Sequence, residues 1–233
     1  LFGINFNLYY FLLLRKFKAF FKDEELRTYI GIVMIATALI WLNVSGLYPS
    51  TGKALENSLF EVANVMTTTG FGVTDLTVWP LFAQVILLFL MFVGGSAGST
   101  AGGIKVMRTL ILTKIARNQV LSTLYPHRIM TIHINEQPLD KEIQHGVLKY
   151  LTLYVFLLLG LTLMLSLDNN NFMVVVSAAT STFNNIGPML GTSQTFAIFS
   201  PFSKLLMSFA MIAGRLEIYP MLLLFIPKTW SKY

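Results

Sequence analysis

The sequence of 233 residues has no cysteine and few charges: Asp, Glu, Lys and Arg together make up 12% of it. Without cysteine, a disulfide framework and a thiolate metal site are both excluded. A soluble domain carries roughly 25% charged residues, so this chain lacks the polar cover that a water-exposed fold needs. It is rich instead in apolar side chains, at 55% hydrophobic and a mean hydropathy of +0.65. These proportions describe an integral membrane protein whose first partner is the lipid bilayer. A net charge of +6 would suit nucleic acid, but basic residues in a membrane chain mark its cytoplasmic loops, and no nucleic-acid partner is expected. His127, His133 and His145 have no regular ligand spacing, and no set of nucleophile, base and orienting group is visible. The chain is not read as an enzyme.

The chain opens at Leu1 inside an apolar stretch, as expected of a piece of a longer protein with no signal peptide in view. Residues 1–27 read as the end of a membrane helix, with Tyr9 and Tyr10 at the interface, followed by a linker with Arg15, Lys16, Lys18 and Lys22. An amphipathic surface helix is the alternative. Residues 28–48 are apolar and long enough for a span of about 20 residues. Residues 54–66 are shorter and carry Glu56, Asn57, Glu61 and Asn64, the pattern of a re-entrant helix. They lead into Thr67-Thr68-Thr69-Gly70-Phe71-Gly72, which is too polar to cross lipid. Non-helical backbone at membrane depth is tolerated where protein buries it or it lines a water-filled path. The carbonyls of this hexapeptide are therefore expected to face an ion, and the negative end of the preceding helix dipole suits a cation.

An apolar helix over 81–93 breaks at Gly94-Gly95-Ser96-Ala97-Gly98-Ser99-Thr100-Ala101-Gly102-Gly103 and resumes at Ile104. Each glycine is worth roughly 1 kcal/mol against helix relative to alanine, so this decapeptide cannot be helical. It is not a phosphate loop either, because Ile104 separates Gly103 from Lys105 and Val106 follows. Residues 119–142, with Pro126 and Pro138, read as a cytosolic connector. A span over 143–167, a short apolar segment over 172–182, the turn Phe183-Asn184-Asn185-Ile186-Gly187-Pro188 and a last span over 202–226 complete the chain.

Residues 28–118 and 143–233 thus share one plan: span, short re-entrant helix, glycine-bearing turn, span. The expected fold is an all-α polytopic membrane protein of parallel pore repeats. The proposed outer segments, 49–80 and 168–204, hold only Lys53 and Lys204, in keeping with the positive-inside rule. Four such turns around an axis would make a filter of the potassium-channel kind. This chain supplies two, so two further repeats or a second chain are expected.

Four motifs in order carry a family resemblance: Thr68-Thr69-Gly70-Phe71-Gly72, Gly94 to Lys105, Asn185-Ile186-Gly187-Pro188 and Gly214-Arg215-Leu216-Glu217-Ile218. Together they resemble the C-terminal half of the Trk/Ktr/HKT potassium transporter superfamily, with the Arg-Leu-Glu-Ile ending most similar to the bacterial TrkH type. The resemblance implies a four-repeat pore in one chain, with 28–118 and 143–233 as its third and fourth repeats, the first two lying in a missing N-terminal half. It also implies a homodimer, a cytosolic ring of nucleotide-binding regulatory subunits, and the bacterial inner membrane.

Aligning the turns on glycine pairs Thr68-Thr69-Gly70 with Asn185-Ile186-Gly187, the expected ion-binding residues, with potassium as bound substrate and no cofactor. Gly94, Gly95, Gly98, Gly102 and Gly103 are expected to form a flexible gate, a close-packed helix break being the alternative. Arg215 is expected to face the pore near that loop, or else to be a structural partner for helix ends or for a carboxylate such as Glu61. Glu217 is assigned to structural pairing. The implied function is potassium uptake through backbone carbonyls; the alternative is a potassium symporter coupled to protons or sodium.

Overall fold

The computed structural model describes residues 2–125, 131–168, 171–215, 221 and 223, which are mostly helical. The chain opens with two short helices, α1 (Phe6–Leu13) and α2 (Phe17–Lys22), in place of one continuous helix end. The reason is a left-handed cap. Arg15 takes a φ of 56°, while the N–H groups of Arg15 and Lys16 bond back to Leu12 and Phe11 at 3.0 and 2.9 Å. This is the paired bonding of a Schellman motif.

α3 (Glu24–Val44) follows, its N-terminus capped by Asp23, whose Oδ1 accepts from Leu26 N–H at 2.8 Å. Its 21 residues reach about 32 Å at 1.5 Å per residue, enough for a hydrocarbon core of about 30 Å. α4 (Thr51–Met66) begins three residues before the sequence pattern places it, because Ser50 caps it through Lys53 N–H. α5 (Leu81–Val93) matches its expected bounds and ends at Gly94, which has φ 68°. α6 (Val106–Leu124) runs into the expected connector and stops at Tyr125, the residue before Pro126, where helical angles are disfavoured.

A two-residue hairpin, β1 (His133–Ile134) with β2 (Gln137–Pro138), turns through Asn135 and Glu136, both at positive φ. α7 (Lys141–Leu165), α8 (Phe172–Phe183) and α9 (Pro201–Arg215) complete the described helices. Among the described residues, two helical segments, Glu24–Leu47 and Lys141–Leu165, are long and apolar enough to cross a membrane. Of the expected last span, residues 216–220, with Glu217, together with 222 and 224–226, lie outside the described residues.

Two cores pack these helices. One joins Ile40, Val65, Met66, Leu87 and Met91 of α3, α4 and α5, and Ile186 and Leu190 enter it from beyond α8. The other joins Tyr154, Ala178, Phe183 and Met207 of α7, α8 and α9, with Phe92 and Ile104 packed against it. Each core is sealed by residues of the other unit. This exchange brings the two glycine turns against each other.

Candidate functional site

Both turns are helix caps of one kind. α4 ends with Thr68 at φ 51° and α8 with Asn185 at φ 56°. Thr69 N–H bonds to Asn64 O at 3.0 Å and Thr68 N–H to Val65 O at 3.1 Å; Ile186 N–H bonds to Ser181 O at 2.9 Å and Asn185 N–H to Thr182 O at 3.2 Å. These are again the two bonds of a Schellman cap, built on non-glycine residues. Left-handed backbone suits asparagine but is an outlier for a β-branched residue. The Thr68 Oγ1 has a specific task there: it accepts from Gly102 N–H at 3.3 Å.

The caps turn N–H groups inward and leave oxygens over. Among the described residues, no hydrogen bond reaches the carbonyls of Thr68, Thr69, Gly70, Asn185, Ile186 or Gly187. The N–H groups of Thr68, Thr69, Asn185, Ile186 and Gly187 are bonded while all six carbonyls stay open, and open carbonyls are what a cation requires.

The sequence marked Gly70 and Gly187, and both have positive φ, 82° and 114°. Their second property is proximity. A β-carbon on Gly70 would lie 2.5 Å from Ile186 O, and one on Gly187 would lie 3.1 Å from Gly70 Cα. A cavity of about 480 Å³ meets the turns on one side, lined by Thr68, Thr69, Asn185 and Ile186 together with Lys204 and Met211. Another of about 580 Å³, with Glu61, Asp75 and Thr195 in its wall, meets them on the other. Gly70 and Gly187 line both.

Side chains whose supporting role the sequence does not reveal hold the turns from behind. Asn64 is buried and spans Phe71, accepting its N–H at 2.9 Å and donating to its carbonyl at 2.6 Å. Ser181, at the corresponding helical position, accepts Gly187 N–H at 3.0 Å. The clamp differs because Pro188 stands where Phe71 does and has no N–H to offer. Glu61 is buried and accepts from Thr74 Oγ1 at 2.8 Å and Asn64 Nδ2 at 3.3 Å. It serves the first turn and is not among the partners of Arg215.

Gly94 to Gly103 forms an irregular loop against these turns. A β-carbon on Gly102 would overlap Asn184 O, and one on Gly94 would overlap Gly102 O. The loop closes on itself through Ile104 N–H to Phe92 O at 3.0 Å and Lys105 N–H to Val93 O at 2.9 Å. Arg215, at the end of α9, donates from Nη1 to Thr100 O at 2.6 Å. Glu25, in the first turn of α3, is 2% exposed, and its Oε1 accepts Ala97 N–H at 2.6 Å and Met107 N–H at 3.1 Å.

Residues 18–232 match the family described as TrkH, cation transport protein. The chain belongs to the TrkH family. It is 32% identical over 236 residues to the Trk system potassium uptake protein TrkH of Salmonella typhimurium and 31% identical to that of Escherichia coli K12. Each alignment covers 99% of this chain and 48% of the relative. The crystal structure of the potassium transporter TrkH from Vibrio parahaemolyticus superposes with a TM-score of 0.89 at 31% identity, covering 99% of this chain and 50% of that one. The chain therefore spans about half the length of the TrkH relatives it matches. Its family is one of transporters, in line with the reading that it is not an enzyme.

Proposed function

We propose that this chain forms half of a potassium-conducting pore, in which the carbonyls of Thr68, Thr69, Gly70, Asn185, Ile186 and Gly187 replace the hydration shell of the ion. The observation that carries this reading is the pair of abutting caps: the N–H groups of Thr68, Thr69, Asn185, Ile186 and Gly187 are bonded, the six carbonyls are not, and cavities adjoin them on both sides. Neutral carbonyl dipoles hold a cation without the deep trap that a carboxylate would make. The family and the names of its potassium-uptake relatives support potassium as the ion.

The parallel repeat supports a pore completed by two more units, in a homodimer of the bacterial inner membrane served by a cytosolic nucleotide-binding ring. Gly94 to Gly103 is the gate of this pore. The contact of Gly102 with Asn184 and the bond from Thr68 support it, since a loop that touches both turns blocks or clears the path by small movements. Arg215 holds the loop through Thr100 O and sets a positive charge in the way of cations.

The deciding experiment is flux into liposomes containing the full-length protein, with potassium and sodium gradients imposed separately. Potassium flux down its own gradient alone is expected. Flux that vanishes unless a proton or sodium gradient is supplied would reject conduction in favour of coupled transport.

A further inference from the structure

The connector between the two units is fastened to the start of α3 by a specific set of bonds. Asn135, at the tip of the β1–β2 hairpin, accepts Glu24 N–H on Oδ1 at 2.9 Å and donates from Nδ2 to Asp23 Oδ2 at 2.8 Å. Lys114 of α6 pairs with the Glu24 carboxylate and donates to His133 O at 2.6 Å. The next residue along α3 looks the other way. Glu25 takes Ala97 N–H from the glycine-rich loop and Met107 N–H from the first turn of α6 on one oxygen. Glu24 and Glu25 are adjacent, so the hairpin and the loop share one helix corner. The loop is thereby tied at Ala97, one residue from the buried Ser96, whose N–H is held by Gly3 O at 2.8 Å.

We propose that the His133–Pro138 hairpin is a latch on the glycine-rich loop, acting through the Glu24–Glu25 corner, with Glu25 as the residue that positions the loop. The proposal rests on the gate reading above and names how the gate is controlled. The loop keeps its closed form while Asn135 fixes the first turn of α3, because that turn aims Glu25 at Ala97. Drawing the hairpin away lets the corner rotate or fray, and the Glu25 carboxylate then loses its aim. A cytosolic subunit bound at the connector would reach the gate this way without touching it.

The absence of cysteine from these 233 residues permits a test independent of transport, with any cysteine elsewhere in the full-length protein replaced by serine. Ser96→Cys is nearly isosteric and is placed at a position 1% exposed. In the full-length protein carrying it, reconstituted in liposomes, the rate of labelling by a membrane-permeant maleimide reports loop opening. Asn135→Ala and Glu25→Ala are each expected to raise that rate at least fivefold, with the double variant no faster than the faster single one. Glu25→Gln, which keeps an acceptor oxygen, is expected to fall between wild type and Glu25→Ala, and it preserves the test should the alanine variant not fold. Labelling by Asn135→Ala at the wild-type rate overturns the latch, as do additive effects of the two substitutions. Potassium and sodium flux measured on the same liposomes separates the two proposals. No flux in wild type defeats conduction, while the labelling result still decides the latch.

Discussion

Asn64 holds Phe71 by both of its main-chain polar groups, accepting the N–H at 2.9 Å and donating to the carbonyl at 2.6 Å. This one amide fixes the direction in which the chain leaves Gly70. The second turn has no such clamp: Ser181 holds Gly187 by a single bond at 3.0 Å, and Pro188 offers no donor. At the residue after its glycine, the first turn is therefore the more tightly held of the two.

Replacing Asn64 with alanine removes both bonds to Phe71. A net hydrogen bond is worth about 1 kcal/mol, so selectivity resting on this geometry should fall by roughly tenfold or more. Potassium-to-sodium flux ratios in liposomes measure it. Ser181→Ala, with one bond lost, should have the smaller effect; the reverse order would refute this difference in hold.

Gly70→Ala places a β-carbon against Ile186 O at a φ of 82°. Strained backbone of this kind costs about 1–3 kcal/mol, and potassium flux should drop by about tenfold or more. Gly72 has open space around its Cα, and Gly72→Ala should stay within about twofold of wild type. Equal losses for both would mean that the hexapeptide tolerates no bulk anywhere, and the close approach would explain nothing.

Arg215→Ala deletes a charged hydrogen bond to Thr100 O, worth about 1.5–3 kcal/mol. Basal flux should rise by roughly tenfold to a hundredfold, and Arg215→Lys should lie between. Unchanged flux in a well-folded Arg215→Ala protein would remove Arg215 from gating.

Asp168 ties the turn after α7 to the start of α9, with its Oδ2 accepting Ser200 N–H at 2.9 Å. The Ser200 hydroxyl, then the Ser203 hydroxyl and the Ser200 N–H, hold its carboxyl below the usual carboxylate range. A carboxylate with a depressed value contributes stability above its unfolded pKa and loses it as pH falls through the folded one. Asp168→Asn should thus melt at a lower temperature than wild type at pH 7, with the difference closing as the pH drops below about 4. Thermal melts across that range give the answer, and a gap that persists in acid would exclude the ionised form as the cause.

The plan of the fold was legible where composition changes sharply. Leu81–Val93 matched to the residue because apolar sequence stops at Gly94 on one side and Pro80 stands on the other. Gly70 and Gly187 were legible because only glycine is comfortable at such angles. Thr68 and Asn185 were placed in the ion-binding set as acceptors, but their role as left-handed caps was not visible, since neither is the glycine usual at that position. Glu25, Asn64 and Ser181 were missed as supports for a different reason. Their partners at Ala97, Phe71 and Gly187 are main-chain atoms, and main-chain partners leave no mark in a side-chain pattern.

Between the glycine-rich loop and the second turn, Gly102 meets the backbone of Asn184 directly, with no side chain between them. A layer of side chains can absorb a displacement by changing rotamer; two main chains in contact cannot. On the proposed pore and gate, loop position and ion occupancy are coupled equilibria. Thermodynamic reciprocity requires that whatever factor loop opening applies to the ion's affinity, the ion applies to loop opening. A pore built in this way senses its own cargo: the concentration of permeant ion becomes an effector of the gate, and gating measured in one cation will not carry over unchanged to another.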